Sequence, residues 1–356
     1  MKGIILHGGR GTRLRPLTHT GPKQLIPVAN KPISQYALED LRDAGIRDIA
    51  VVLGHIAPNK VIEYYGDGSD FGVSITYIEQ GTPMGIAHAV GLCEDFVGEE
   101  PFVVYLGDNI LKGGIRHFAD DFVRFGYDAM VLLCEVKNPR MFGVARFEDG
   151  KLVGLVEKPK VPPSNFALVG IYFLTHTVFE AIKTLKPSWR GELEITEAIQ
   201  RLMDWGHNVG YSKVIGWWKD TGRPEDVLEA NQLVLSELRL SVEGEVEDGV
   251  TVSGNVGIGK GTIVRRGCTI RGPVIIGKGC DIGPNTYIGP YTSIGDNVTM
   301  RGGEIENTIV VGDSVIECDR RIVDSLIGRN SRIISADKNV PRGYKLIIGE
   351  STLVSL

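Results

Sequence analysis

The sequence predicts two joined architectures, an α/β domain with a mixed, mostly parallel sheet followed by a left-handed parallel β-helix. Three observations carry this. Up to about residue 238, short Val- and Ile-rich runs alternate with stretches of helical spacing. From Val246 to Met300 an aliphatic side chain recurs every six residues, which is the mark of hexapeptide coils. The length of 356 residues suits two domains at roughly 150 residues each, divided here as 1–238 and 239–356.

Lys2–His7, Ile49–Leu53, Ser74–Ile78 and Phe102–Leu106 are short and β-branched, and read as strands. Between them Ser34–Ala44, Gly85–Cys93 and Ile115–Phe125 place apolar residues at helical spacing, and Pro224–Leu238 adds a last helix. Such alternation implies a sheet covered on both faces. The repeat then runs through Val246, Val252, Ile258, Val264, Ile270, Ile276, Ile282, Ile288, Ile294 and Met300. It continues at five or six residues through Ile305, Val311, Ile316, Ile322, Ile327 and Ile333. One coil cannot hide its own aliphatic residue, whereas a stack buries the whole column. A β-sandwich would show turn signals about every 8–12 residues instead. The tail, 335–356, falls out of phase and reads as a cap on the last coil.

Composition narrows the function. With 39 Lys and Arg against 44 Asp and Glu, the net charge is −5, so nothing attracts nucleic acid or an anionic membrane in bulk. No apolar run approaches the ~18 residues of a membrane span, and the apolar start is too short for a signal peptide. Cys93, Cys134, Cys268, Cys280 and Cys318 are odd in number and form no CxxC pair. That argues against zinc knuckles and a disulfide framework, and for a reduced, cytoplasmic protein.

The first strand runs into Gly8-Gly9-Arg10-Gly11-Thr12-Arg13. Glycines let a backbone approach a bulky anion with its N–H groups free, and the Arg13 guanidinium forks onto phosphate oxygens. No Gly-Lys-Ser/Thr closes the loop, so it is not a P-loop; a tight turn without a ligand is the plain alternative. Asp108 follows an apolar strand within Gly107-Asp108-Asn109, at the strand end where open α/β sheets bind ligands. A turn residue is again the plain reading.

The loop continues through Pro16, Pro22-Lys23-Gln24-Leu25-Ile26-Pro27-Val28 and Lys31-Pro32. Here the chain resembles the sugar-1-phosphate nucleotidyltransferases, in particular the long form of the glucose-1-phosphate thymidylyltransferase group. Gly66–Gly72, Glu79-Gln80, Leu106–Asn109, Glu157-Lys158-Pro159, Gly191–Thr196 and Trp218–Gly222 extend the match in order. The resemblance implies a Rossmann-like domain that joins dTTP, or UTP, to a sugar 1-phosphate with loss of pyrophosphate. It implies Asp108 and Asp220 as Mg²⁺ ligands, and Arg13, Lys23 and Lys158 as the catalytic cations. Gly8, Gly9, Gly11, Thr12, Arg13, Gln24, Gln80, Gly85 and Asp108 would hold the nucleotide, with Gln80 and Gly85 reading the pyrimidine. Asn109, Gly143, Glu157, Lys158, Val169 and Tyr172 would hold the sugar phosphate. Where most relatives have a small residue, this chain has His7, read here as a packing group.

All seven histidines lie before residue 208, so the repeat half lacks the imidazole base of the usual hexapeptide acyltransferases. It reads as a scaffold for a homo-oligomer. Two other functions stay open: a uridylyltransferase for glucose or N-acetylglucosamine 1-phosphate, and a non-catalytic nucleotide-sugar sensor. Intact Arg13, Lys23, Asp108, Lys158 and Asp220 argue against the sensor.

Overall fold

The computed structural model describes residues 1–239, 241–335 and 352–354; most of the expected cap, 335–356, lies outside them. The chain divides into two compact units. The first comprises Met1–Arg10, Thr20–Leu25 and Ile33–Asp220, and the second Gly11–His19, Ile26–Pro32 and Thr221–Leu356. Among the described residues no helix is long and apolar enough to cross a membrane, and all five cysteines are free thiols.

The first unit is built on a nine-stranded sheet. At its centre Lys2–His7 lies between Asp48–Leu53 and Phe102–Leu106, parallel to both, and Ser74–Glu79 extends the parallel run. Phe166–Leu174 joins Phe102–Leu106 antiparallel and leads to Gly143–Glu148 and Lys151–Glu157, which makes the sheet mixed. Period-two alternation sends Ile4 and Leu6 into one apolar cluster with Val52 and Val104, and Ile5 into another with Val51 and Tyr105. Both faces are therefore covered, which is why these strands read as unbroken apolar runs. Ile33–Asp43 buries Ile33, Ala37, Leu38 and Leu41 along one stripe.

The central strands all run the same way, so their C-terminal ends meet at one edge. Gly8 and Gly9, Gln80, and Gly107 and Asp108 follow directly on His7, Glu79 and Leu106. Backbone bonds continue past the strands: Gly107 N–H donates to Leu6 O at 3.0 Å and Gln80 N–H to Leu53 O at 3.0 Å.

Among the described residues of the second unit, three parallel sheets of six, five and five strands form the faces of a β-helix, consistent with the left-handed form. Ile258, Ile276 and Ile294 stack on one face, and Val264, Ile282 and Met300 on the next. All six are at most 1% exposed. Val246 and Val252 lie on the first coil, with a neighbouring coil on one side only, and stay partly exposed. One expected column position shifts. Val310 rather than Val311 pairs with Ile294 and Ile327 and is wholly buried. Five residues separate Ile305 from Val310 where six separate Ile288 from Ile294 on the coil beside them, and the shortened turn holds Asn307 in a left-handed backbone with φ of 46°.

Candidate active site

A cavity of about 220 Å³ opens at the C-terminal edge of the parallel strands. Gly8, Gly9, Lys23, Gln24, Gln80, Gly85 and Asp108 line it, together with Leu6, Pro83, Ile86, Ala89, Leu106 and Glu192. Six residues expected at the nucleotide thus meet in one place with Lys23, drawn from four separate stretches of chain. Lys23 Nζ is paired with Asp108 Oδ2, and both side chains are largely buried. Burial opposes ionisation of Asp108, but the Lys23 ammonium and the bond from Asn109 outweigh it and hold the carboxyl below its ordinary value.

Asp108 is held from its other side as well. Asn109 Nδ2 donates to Asp108 Oδ1 at 2.9 Å, and Trp218 Nε1 donates to Asn109 Oδ1 at 2.6 Å. The indole therefore fixes which way the amide faces. Trp218–Asp220 pairs antiparallel with Asn109–Leu111, with Asp220 opposite Asn109. That ladder sets Asp220 across from the residue after Asp108, more than a hundred positions away in sequence.

On the other wall, Gln80 Nε2 donates to Gly85 O at 3.2 Å and lies 3.3 Å from His88 Nδ1. Its Oε1 lies on the Gly8 side, 3.0 Å from where a Cβ on Gly8 would sit. The amide thus presents an acceptor toward the glycine loop. Gly85 has φ of 108°, and a Cβ there would meet Leu193 O at 2.4 Å, so no other residue fits.

Residues 2–237 match the family model described as nucleotidyl transferase, and residues 270–350 match that of the GMPPB C-terminal domain. The chain belongs to the nucleotidyl transferase family. It is 52% identical to the low-salt glycan biosynthesis nucleotidyltransferase Agl11 of Haloferax volcanii, over all of both chains. It is 46% identical to a glucose-1-phosphate thymidylyltransferase of Streptomyces antibioticus, over all of this chain and 99% of the relative. A Bacillus anthracis structure assigned as a glucose-1-phosphate thymidylyltransferase, solved with sucrose, aligns with a TM-score of 0.64. That alignment has 42% identity and covers 68% of this chain and 97% of the other.

In this nucleotidyltransferase Gly143, Lys158 and Tyr172, expected at the sugar, gather around Glu157, outside the cavity lining, whereas Asn109 stands against Asp108. Gly143 faces Glu157 across the ladder, and a Cβ there would meet Thr196 Cγ2 at 2.8 Å and Glu157 Oε2 at 3.1 Å. Lys158 Nζ lies 3.6 Å from Glu157 Oε1. Tyr172 is buried, and burial, followed by the charges of Glu157, Glu194 and Asp108, pushes its hydroxyl up. Val169 turns its side chain into the cluster on the opposite face from Tyr172, so only its backbone is left for a ligand on the Tyr172 side. Gly11, Thr12 and Arg13 group with the second unit, and Arg13 is exposed on the short turn Thr12–Leu14.

Sequence reasoning missed Arg190. Its guanidinium lies 3.5 Å from Glu157, 3.0 Å from Glu192 and 3.2 Å from Glu194. Thr196 Oγ1 donates to Glu157 Oε2 at 3.2 Å. The signal was present as Arg190-Gly191-Glu192-Leu193-Glu194, alternating acids directly after one cation. Glu192 also lines the cavity, so Arg190 links the Glu157 cluster to the cavity wall. His7 is 2% exposed, edge-on to Tyr65 at 6.2 Å. Burial lowers its imidazole to about 3 against the pull of Asp108, leaving it a neutral packing group.

Proposed function

We propose that the chain transfers a thymidylyl group from dTTP to glucose 1-phosphate, releasing pyrophosphate and forming dTDP-glucose. The observation that carries this is the Lys23–Asp108 pair beneath a glycine-walled cavity whose opposite wall presents the Gln80 amide. An oxygen of the sugar phosphate attacks the α-phosphorus, a new P–O bond forms, and the bond to the β-phosphate breaks. Both reactants are anions, so positioning and charge neutralisation supply the catalysis. Lys23 and the Gly8 and Gly9 backbone serve the triphosphate, and Arg13 joins them through its place in the glycine-loop motif. Lys158 and Arg190 serve the sugar phosphate, and Glu157, oriented by Thr196, accepts from sugar hydroxyls.

The donor set fits Mg²⁺. Asp108 and Asp220, which stands opposite Asn109 in the ladder, would supply hard oxygen ligands, and the ion would neutralise phosphate charge when bound.

A Gln80 acceptor favours the N3–H of thymine or uracil over cytosine, whose N3 carries no proton. Thymine differs from uracil by a methyl, which the apolar side chains of Pro83, Ile86 and Ala89 can cover. Burying one such group is worth about 0.8 kcal/mol, so a several-fold preference for dTTP is expected, with UTP still accepted. The test is pyrophosphate release with glucose 1-phosphate and Mg²⁺, comparing dTTP, UTP, ATP and GTP. Faster turnover with dTTP supports the reading. A preference for UTP makes the product a UDP-sugar, and silence with all four overturns the reading in favour of a sensor.

A further inference from the structure

In the second unit a single buried amide joins three parts of the chain that are far apart in sequence. Asn231 lies in the middle of the helix Pro224–Glu237 and is wholly buried. Asparagine is a weak helix former and is seldom buried without a use for its polar atoms. Here both ends of the amide are engaged. Its Oδ1 accepts from the Ala29 N–H at 2.8 Å and from the Ser293 hydroxyl at 2.7 Å, and its Nδ2 donates to Tyr291 O at 2.9 Å. Beside it, Asn30 Nδ2 donates to Ile294 O at 2.7 Å.

Ala29 and Asn30 are the two central residues of a tight hairpin in which Pro27–Val28 pairs with Lys31–Pro32. Both have left-handed backbones, with φ of 48° and 62°, as a two-residue hairpin turn of the primed type demands. Asparagine tolerates that conformation, but alanine is strained by it. Strain of this kind persists where the surroundings over-determine it, and here Asn231 holds the N–H of the strained residue itself. Both turn residues are thus tied to the repeat half, one directly and one through the helix.

This hairpin starts two residues after Lys23–Leu25, the turn that supplies Lys23 and Gln24 to the cavity. The preceding segment, Gly11–His19, also belongs to the second unit. The six residues Thr20–Leu25 therefore leave the second unit and return to it along the chain.

We propose that Asn231 is a positioning residue for the triphosphate: by clamping the Ala29-Asn30 turn to the β-helix it sets where Lys23 and Gln24 stand. This rests on Lys23 and Gln24 serving the nucleotide. Two full-length variants test it. Asn231→Leu keeps the bulk and removes every polar contact. Asn30→Gly keeps the left-handed backbone and removes the donor to Ile294, and it decides the matter alone if the first variant does not fold.

The expected result is a KM for dTTP raised about tenfold in Asn231→Leu and two- to threefold in Asn30→Gly, with the KM for glucose 1-phosphate unchanged. Hydrogen exchange in residues 20–32 should quicken by at least tenfold in Asn231→Leu. A lower specific activity with both KM values at wild type would mark a purely structural role and overturn the proposal. Unchanged exchange in 20–32 would overturn it too. If the wild-type protein does not turn over dTTP, the functional reading fails, while the exchange rates still decide whether Asn231 holds the segment.

Discussion

Replacing His7 with leucine tests the electrostatics directly beneath the glycine loop. Both ring nitrogens of His7 are buried and have no hydrogen-bond partner among the described residues, and burial takes the imidazole from 6.5 down to about 3. The unfolded chain binds this proton below 6.5, while the folded chain does not until about 3. Stability from this group is therefore complete above pH 6.5 and falls away as pH drops toward 3, at about 1.4 kcal/mol per pH unit. At pH 5 the loss amounts to about 2 kcal/mol. Leucine has similar bulk, cannot titrate and leaves no buried polar atom unpaired, so it should be neutral or stabilising at pH 7.5. The gain over wild type should then widen by about 2 kcal/mol at pH 5.

Urea unfolding followed by tryptophan fluorescence is the assay. All four tryptophans, Trp189, Trp205, Trp217 and Trp218, lie in the first unit, so the signal reports the sheet that carries His7. A difference between variant and wild type that stays constant from pH 7.5 to pH 5 would refute the reasoning. So would an NMR titration of labelled histidine that places His7 near 6.5.

Other expectations concern the site and the stack. Asp108→Asn should lower turnover by about a hundredfold or more while the circular dichroism spectrum is retained, since it removes a charge at the reacting phosphates; near-normal turnover would remove Asp108 from the metal assignment. Chelation by EDTA should abolish pyrophosphate release and added Mg²⁺ restore it, as read in the same assay. Gly143→Ala pushes Thr196 and Glu157 apart, and should raise the KM for the sugar phosphate about tenfold, ~1.4 kcal/mol, with that for dTTP unmoved. Ile282→Ala hollows the β-helix column and should cost about 2–5 kcal/mol, seen as faster hydrogen exchange in Ile263–Val264 and Thr299–Arg301.

The two architectures were legible because each has its own period. Lys2–His7 and Phe102–Leu106 stand at their predicted bounds, since a strand buried on both faces leaves an uninterrupted apolar run. The six-residue repeat located the β-helix column as far as Met300. It misplaced Val311 by one residue, because the shortened turn at Asn307 depends on how one coil seats on the next. The glycine loop and Asp108 were legible as strand-end residues, which parallel strands bring together, whereas Gln80 was reached through the family resemblance.

What the sequence determined by itself was therefore local chemistry and periodicity: which residues carry charge, which glycines permit close approach, and which aliphatic residues recur. Only the tertiary structure decided the partnerships. Arg190 gathers Glu157, Glu192 and Glu194, Trp218 orients Asn109 against Asp108, and Asn231 reaches Ala29 across some two hundred residues. Hydrogen bonds and ion pairs depend on distance in space, and no spacing along the chain encodes which distant amide will share a buried volume with which strained turn.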